Sequence, residues 1–169
     1  WQCGTIQVDF SMPDRLDASF IGEDGSRHTP VMLHRAVLGS FERFIGILIE
    51  NYAGEFPFWL APEQIRILPV SDDARGFSET VQTKLLSQGI SATVDESGER
   101  LGKLIRNGEK AKIPLLAVIG AKEAENNTVS LRSRKNGDLG EISVNELINY
   151  CNQANNNKSE DALVAAVHS

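Results

Sequence analysis

Most of this 169-residue sequence predicts an α/β fold: a mixed, mainly parallel five-stranded sheet with flanking helices in the order β-α-β-α-β-β-α. Three observations carry that expectation. From Gln64 onward, short apolar runs alternate with segments of helical period. Leu115–Ile119 is apolar throughout, as a strand buried on both faces must be. Asn136-Gly137 marks a tight turn between the last two strands. Ahead of Gln64 the pattern differs, reading as antiparallel strands followed by one amphipathic helix.

Taken in order, Thr5 to Phe10 alternates polar and apolar residues as a half-buried strand does. Ala18–Ile21 and Val31–Leu33 flank the turn-forming Glu23-Asp24-Gly25-Ser26 and are expected to pair as a hairpin. Phe41, Phe44, Ile45, Leu48 and Ile49 recur at helical spacing behind Ser40, a suitable N-cap, so a helix is expected to bury one face against the preceding strands. The stretch from Ala53 to Pro62, with Gly54, Pro57 and Pro62, reads as the boundary between two units. Strands then follow at Ile65–Val70, Ile90–Val94 and Leu115–Ile119, with helices at Gly76–Ser87 and Arg100–Lys110. Thr128–Arg132 and Leu139–Ile142 form the last hairpin and Val144–Ala154 the last helix. The expected domains are residues 1–56 and 57–157, with a mobile tail over 158–169 in which Ala162–Val167 has the pattern of a helical turn.

Composition narrows the possible functions. With 41% hydrophobic and 24% charged residues, a wholly disordered or fibrous chain is excluded. No segment approaches the ~20 apolar residues of a helical membrane span, so no membrane partner is expected. Cys3 and Cys151 lie at opposite ends, which argues against a disulfide framework and fits a cytoplasmic setting. The chain opens on Trp1-Gln2-Cys3-Gly4, inside sequence that reads as structured, and is expected to be the C-terminal part of something longer. The net charge of −6 sits mostly in residues 1–56, which hold eight acids against four bases. The nearly neutral middle carries two basic clusters, one from Arg100 to Lys112 and one from Arg132 to Lys135. These suit either phosphate contacts or a solvated face.

Cys3, His28 and His34 are residue types that zinc prefers, but no CxxC or HxxxH pair is present and the spacing supports a local site poorly. A stronger signal runs from His34 to Glu50: a strand ends, Gly39 permits close backbone approach, Ser40 caps a helix, and Arg43 projects from its first turn, where unpaired N–H groups favour an anion. By periodicity alone, Glu42 and Arg43 read as the wet face of an amphipathic helix.

Two motifs, Trp1-Gln2-Cys3-Gly4-Thr5-Ile6-Gln7-Val8-Asp9-Phe10 and His34-Arg35-Ala36 with Gly39-Ser40-x-Glu42-Arg43-Phe44-x-Gly46-Ile47-Leu48, resemble the end of the catalytic domain of the threonyl-tRNA synthetase family, including motif 3 of class II synthetases. The resemblance continues through Phe56-Pro57-x-Trp59-Leu60-Ala61-Pro62 into the class IIa anticodon-binding module and covers roughly residues 1–150. It implies an incomplete catalytic piece ahead of a whole anticodon-binding domain.

The resemblance further implies ATP-dependent activation of threonine and its transfer to threonine tRNA, with Mg2+ accompanying ATP. Arg43 would be the catalytic arginine that holds ATP as threonine's carboxylate attacks the α-phosphorus; Gln2, Thr5 and Ser40 would line the nucleotide site and Gln7 the amino-acid site. His34 would be the one Zn2+ ligand of three that lies within this sequence. Such a metal tells threonine from valine by binding the hydroxyl, which shape alone separates only weakly. Glu123 and Arg132 would read anticodon bases. Asp95-Glu96-Ser97-Gly98 departs from the family's pattern by lacking a basic residue and an amide, for which Arg100 is a possible substitute. The parent enzyme would be a homodimer and this piece inactive alone. The alternative is a non-catalytic RNA-binding or accessory protein on the same anticodon-binding fold, and retention of His34, Gly39, Glu42 and Arg43 favours the enzyme.

Overall fold

A computed structural model describes residues 2–158; Trp1, the greater part of the expected tail and its helical turn over 162–167 lie outside the described residues. The chain separates into two compact units, Trp1–Asn51 and Tyr52–Ser169.

In the first unit, β1 (Gly4–Asp9) pairs antiparallel with β4 (Met32–Val37), Gln7 standing opposite His34 and Thr5 opposite Ala36. A four-residue helix, α1 (Met12–Arg15), and a small ribbon of β2 (Phe20–Ile21) and β3 (Arg27–His28) lie between them. The expected hairpin is therefore re-paired. Phe20–Ile21 bonds Arg27–His28 across the turn, while the run containing Leu33 joins β1. The polar/apolar alternation explains this partner choice, since pairing to β1 gathers Thr5, Gln7, Asp9 and His34 on one face and Ile6, Val8, Leu33 and Val37 on the other.

The helix α2 (Phe41–Tyr52) forms as its periodicity predicts, capped by Ser40, whose hydroxyl accepts the Arg43 N–H at 3.3 Å. Its expected burial is not found. Phe41 is 83% exposed, and no residue of α2 is fully buried.

The second unit is a five-stranded sheet in the order β6-β5-β7-β8-β9, from β5 (Ile65–Pro69), β6 (Ala92–Val94), β7 (Leu115–Ile119), β8 (Thr128–Ser133) and β9 (Gly137–Ser143). β5 is parallel to β6 and β7; β8 is antiparallel to both neighbours, so four strands run one way and β8 the other. The mixed, mainly parallel α/β sheet expected from the sequence is present. Between β7 and β8 lies a helix that the sequence reading lacks, α5 (Ala121–Asn126), too short to show a period.

Two cores flank the sheet. On one face α3 (Arg75–Ser87) and α6 (Val144–Asn157) bring Val81, Leu85, Leu147 and Cys151 against Ile65, Ile67 and Leu131. Burial pushes the Cys151 thiol up to about 12. Ser143 and Glu146 form a capping box that starts α6, with Ser143 N–H donating to the Glu146 carboxylate at 2.9 Å. On the other face α4 (Leu101–Lys110) lays Leu104 over Leu68, Leu116 and Val118. Gly108 permits this approach, because a Cβ there would lie 2.5 Å from Leu116.

The unit's first residues are fixed by Gln64, only 6% exposed, whose amide donates to Phe58 O at 2.9 Å and Asn155 Oδ1 at 2.8 Å while its oxygen accepts the Ser91 N–H at 3.0 Å. Every polar atom of that buried side chain has a partner.

Candidate functional site

Strand alternation builds the first candidate surface. Along β8, Val129 and Leu131 are buried under α6, which turns Ser130 and Arg132 to the opposite face, where they stand beside Val118 and Leu116 of β7. α4 covers that face over the centre of the sheet, leaving a polar row on β8 and β9.

Two of the expected RNA contacts meet in this row. Glu123, at the third position of α5, accepts the Gly120 N–H at 2.9 Å and the Ser130 hydroxyl at 3.2 Å. Arg132 Nη1 lies 3.2 Å from Asp138, on the same face two residues beyond Ser130. An ion pair this exposed contributes only ~0–1 kcal/mol, so the guanidinium can exchange Asp138 for a phosphate or base edge at little cost. Arg100 stands apart, at the N-cap of α4 after β6, the opposite edge strand.

Three further members were missed in the sequence: Ser130, which joins Glu123 to the row, and Lys122 and Thr128, which both bond Glu141, at 3.0 and 2.6 Å. The Thr128 and Lys122 bonds hold the Glu141 carboxyl below its ordinary range, and Glu141 raises Lys122 in turn. The period-two spacing of Thr128, Ser130 and Arg132 was the available signal. Lys122 pairs with Glu141, leaving the neighbouring Glu123 to cap α5.

The departing loop lies at the carboxyl ends of β5 and β6. Asp95 accepts the Ser97 N–H at 2.9 Å, and with Asp72, Arg75, Gly98 and Glu99 it lines an open cavity of ≈ 180 Å³. Three acids against one base make this end of the sheet a poor phosphate grip.

In the first unit, Gln2, Thr5 and Arg43 share a shallow cavity of ≈ 100 Å³ with Gly4, Ala36 and Gly39. Gly39 has φ +74, a backbone conformation that favours glycine, and the Arg43 side chain passes beside it. Ser40 and Gln7 do not line this cavity: Ser40 caps α2, and Gln7 lies two residues along β1 from Thr5, opposite His34.

His34 Nε2 is 3.0 Å from Asp9 Oδ2. The Asp9 carboxyl is held down at about 2, first by the Met12 and Ser11 backbone N–H groups and then by His34. A carboxylate on one imidazole nitrogen leaves the other for a metal, the usual arrangement behind a zinc-bound histidine. His34 thus fits the role of a single ligand. Among the described residues no three His, Cys, Asp or Glu side chains gather as a metal site, so Cys3, His28 and His34 do not form one, and His28 bonds Asp24 at 3.0 Å instead.

The second unit, an open mixed sheet with helices on both faces and a polar row on its antiparallel hairpin, is an α/β module of one defined class: the chain belongs to the anticodon binding domain family, whose model matches residues 64–154. Residues 1–52 match the tRNA synthetase class II core domain (G, H, P, S and T). The relatives narrow this further. The chain is 59% identical over 155 residues to the threonine–tRNA ligase of Synechococcus sp. (strain CC9902), covering 92% of this chain and 25% of that protein. It is 58% identical over 147 residues to that of Synechococcus elongatus, covering 87% and 24%. Among solved structures, the RNA binding domain of threonyl-tRNA synthetase from Cryptosporidium parvum Iowa II superposes with a TM-score of 0.77 at 32% identity, over 90% of this chain and 39% of that one. The expected resemblance to threonyl-tRNA synthetases is borne out, and the chain spans about a quarter of the length of those ligases. No helix among the described residues is long and apolar enough to cross a membrane.

Proposed function

We propose that this chain is the anticodon-recognition part of a threonine–tRNA ligase together with the motif 3 half of its nucleotide site. The parent activity we infer is ATP-dependent formation of threonyl-adenylate and transfer of threonine to threonine tRNA, by a homodimer acting in the cytoplasm. The observation that carries the reading is the half-buried polar row of Glu123, Ser130 and Arg132 in a chain so similar to threonine–tRNA ligases. Unstacked loop bases expose donor and acceptor edges; a carboxylate reads the former, a guanidinium the latter.

In the nucleotide half-site, Arg43 would neutralise phosphate charge as the threonine carboxylate attacks the α-phosphorus, beside the α2 N-terminus. Gln2 and Thr5 share its cavity and would border ATP; Ser40 would act through the cap that fixes Arg43. Gln7 and His34 face each other across β1 and β4, which suits one amino-acid site. Zn2+, if held at His34, would supply a Lewis-acid partner for threonine's amino and hydroxyl groups; Asp9 orients that imidazole. Arg100, on a different element, would contribute at most a phosphate contact.

The domain limits we favour are residues 1–51 and 52–157, five residues ahead of the boundary expected from the sequence, with 158–169 as a tail. A second reading, an RNA-binding accessory protein without catalysis, draws on the contrast between a second unit with its own cores and a half-site that is exposed.

The decisive measurement is binding of this chain to the anticodon stem-loop of threonine tRNA, against a scrambled loop, at two salt concentrations. Arg132→Ala is expected to weaken specific binding about tenfold or more and leave scrambled-loop binding almost unchanged. Equal weak binding of both loops would defeat sequence-specific readout. Threonine-dependent pyrophosphate exchange by the intact gene product separates the ligase from the accessory protein.

A further inference from the structure

We propose that Arg134 is a positioning residue that ties the lead-in segment, residues 52–57, to the hairpin β8–β9, so that RNA seated on the hairpin is felt in that segment's backbone. The clamp follows from geometry; the coupling rests on the RNA-binding reading above.

Residues 53–57 form neither helix nor strand, so their carbonyls lack ladder partners and must be satisfied otherwise. Arg134, one residue past β8, does this. Its Nη2 donates to Phe56 O at 3.0 Å and Glu55 O at 3.3 Å, and its Nη1 to Lys112 O at 2.6 Å. Lys112 completes the tie: its ammonium donates to Ala53 O and lies 3.7 Å from the Glu55 carboxylate. A planar fork of five N–H groups suits three carbonyls converging from two segments, which a lysine's single ammonium cannot match.

The backbone bears the mark of this constraint. Ala53 and Lys112, neither a glycine, have φ of 49° and 58°. Left-handed residues with side chains persist where the surroundings over-determine them. The segment is further held by the Glu55 N–H on Tyr52 O at 2.8 Å and by Phe58, 1% exposed. A stretch that reads in the sequence as a Gly/Pro boundary is thus a fastened part of the second unit. Arg132, on the RNA-facing row, lies two residues before Arg134, and the Arg134 N–H donates to Pro114 O at 3.0 Å. Displacement of β8 therefore reaches Glu55 and Phe56 through one side chain.

The test is amide hydrogen exchange on the 169-residue chain, with and without the anticodon stem-loop of threonine tRNA. Without RNA, Arg134→Ala is expected to speed exchange over 53–57 at least about tenfold while β8–β9 stays as protected as before. Unchanged exchange over 53–57 overturns the clamp. If Arg134→Ala loosens the whole unit, Arg134→Lys decides: it keeps the charge and stem, and acceleration confined to 53–57 supports the clamp while uniform acceleration rejects it. With RNA, the wild-type chain should gain protection at both β8–β9 and 53–57, and Arg134→Lys at β8–β9 alone. Protection of the wild-type hairpin without the segment overturns the coupling. No RNA binding at all removes the RNA reading and the coupling with it, and leaves the clamp to the RNA-free arm.

Discussion

Every strand of the five-stranded sheet contributes a buried side chain, and Ile67, Leu131 and Leu147 are wholly enclosed, whereas on the β1–β4 ribbon Ile6, Val8, Leu33 and Val37 stand 50–66% exposed. The polar groups of β8 are therefore held by a core that lies within the same unit. Those of β1 and β4 are held by local bonds, chiefly Asp9 to Ser11, Met12 and His34. A two-stranded ribbon with one bare apolar face is marginal by itself, so burial and site preorganisation separate in this chain: one surface rests on a core, the other on an exposed ribbon.

The sharpest way to break that comparison is a pair of leucine truncations followed by chemical denaturation. Leu147→Ala, in the enclosed core, should cost about 2–5 kcal/mol. Leu33→Ala, on the bare face, should stay within about 0.5 kcal/mol. Similar losses at both would mean that the ribbon is covered after all. A smaller effect is expected from Ser143→Ala, which removes the hydroxyl accepting the Glu146 N–H at 3.2 Å and should lower second-unit stability by about 1 kcal/mol.

The smallest effect tests the first unit's local order. Because the folded Asp9 carboxyl sits at about 2 rather than the ordinary 3.8, its stabilising contribution is complete above 3.8 and is lost as pH falls through about 2. A carboxyl resonance that titrates near 2 supports a formed Asp9–Met12 turn; a midpoint near 3.8 says that the ribbon's end is open.

The sheet was legible because its signals are strong and local: a fully apolar β7 and the Asn136-Gly137 turn. α5 was not, because six residues cannot display a helical period, and its start on Gly120 hides a cap made by Glu123 alone. The pairing of β4 was misjudged because nearness in sequence favoured Phe20–Ile21, while facial alternation favoured β1. At the sites, residue types were readable and partnerships were not. That Arg132 meets Asp138, or that Arg134 reaches Glu55 and Phe56 from 79 and 78 positions away, depends on register and fold.

Cys151 turns the second unit into its own reporter. An enclosed thiol, pushed up to about 12 by burial, reacts with an alkylating agent when α6 lifts away, so the modification rate of Cys151, followed apart from that of the exposed Cys3, measures how often that helix opens.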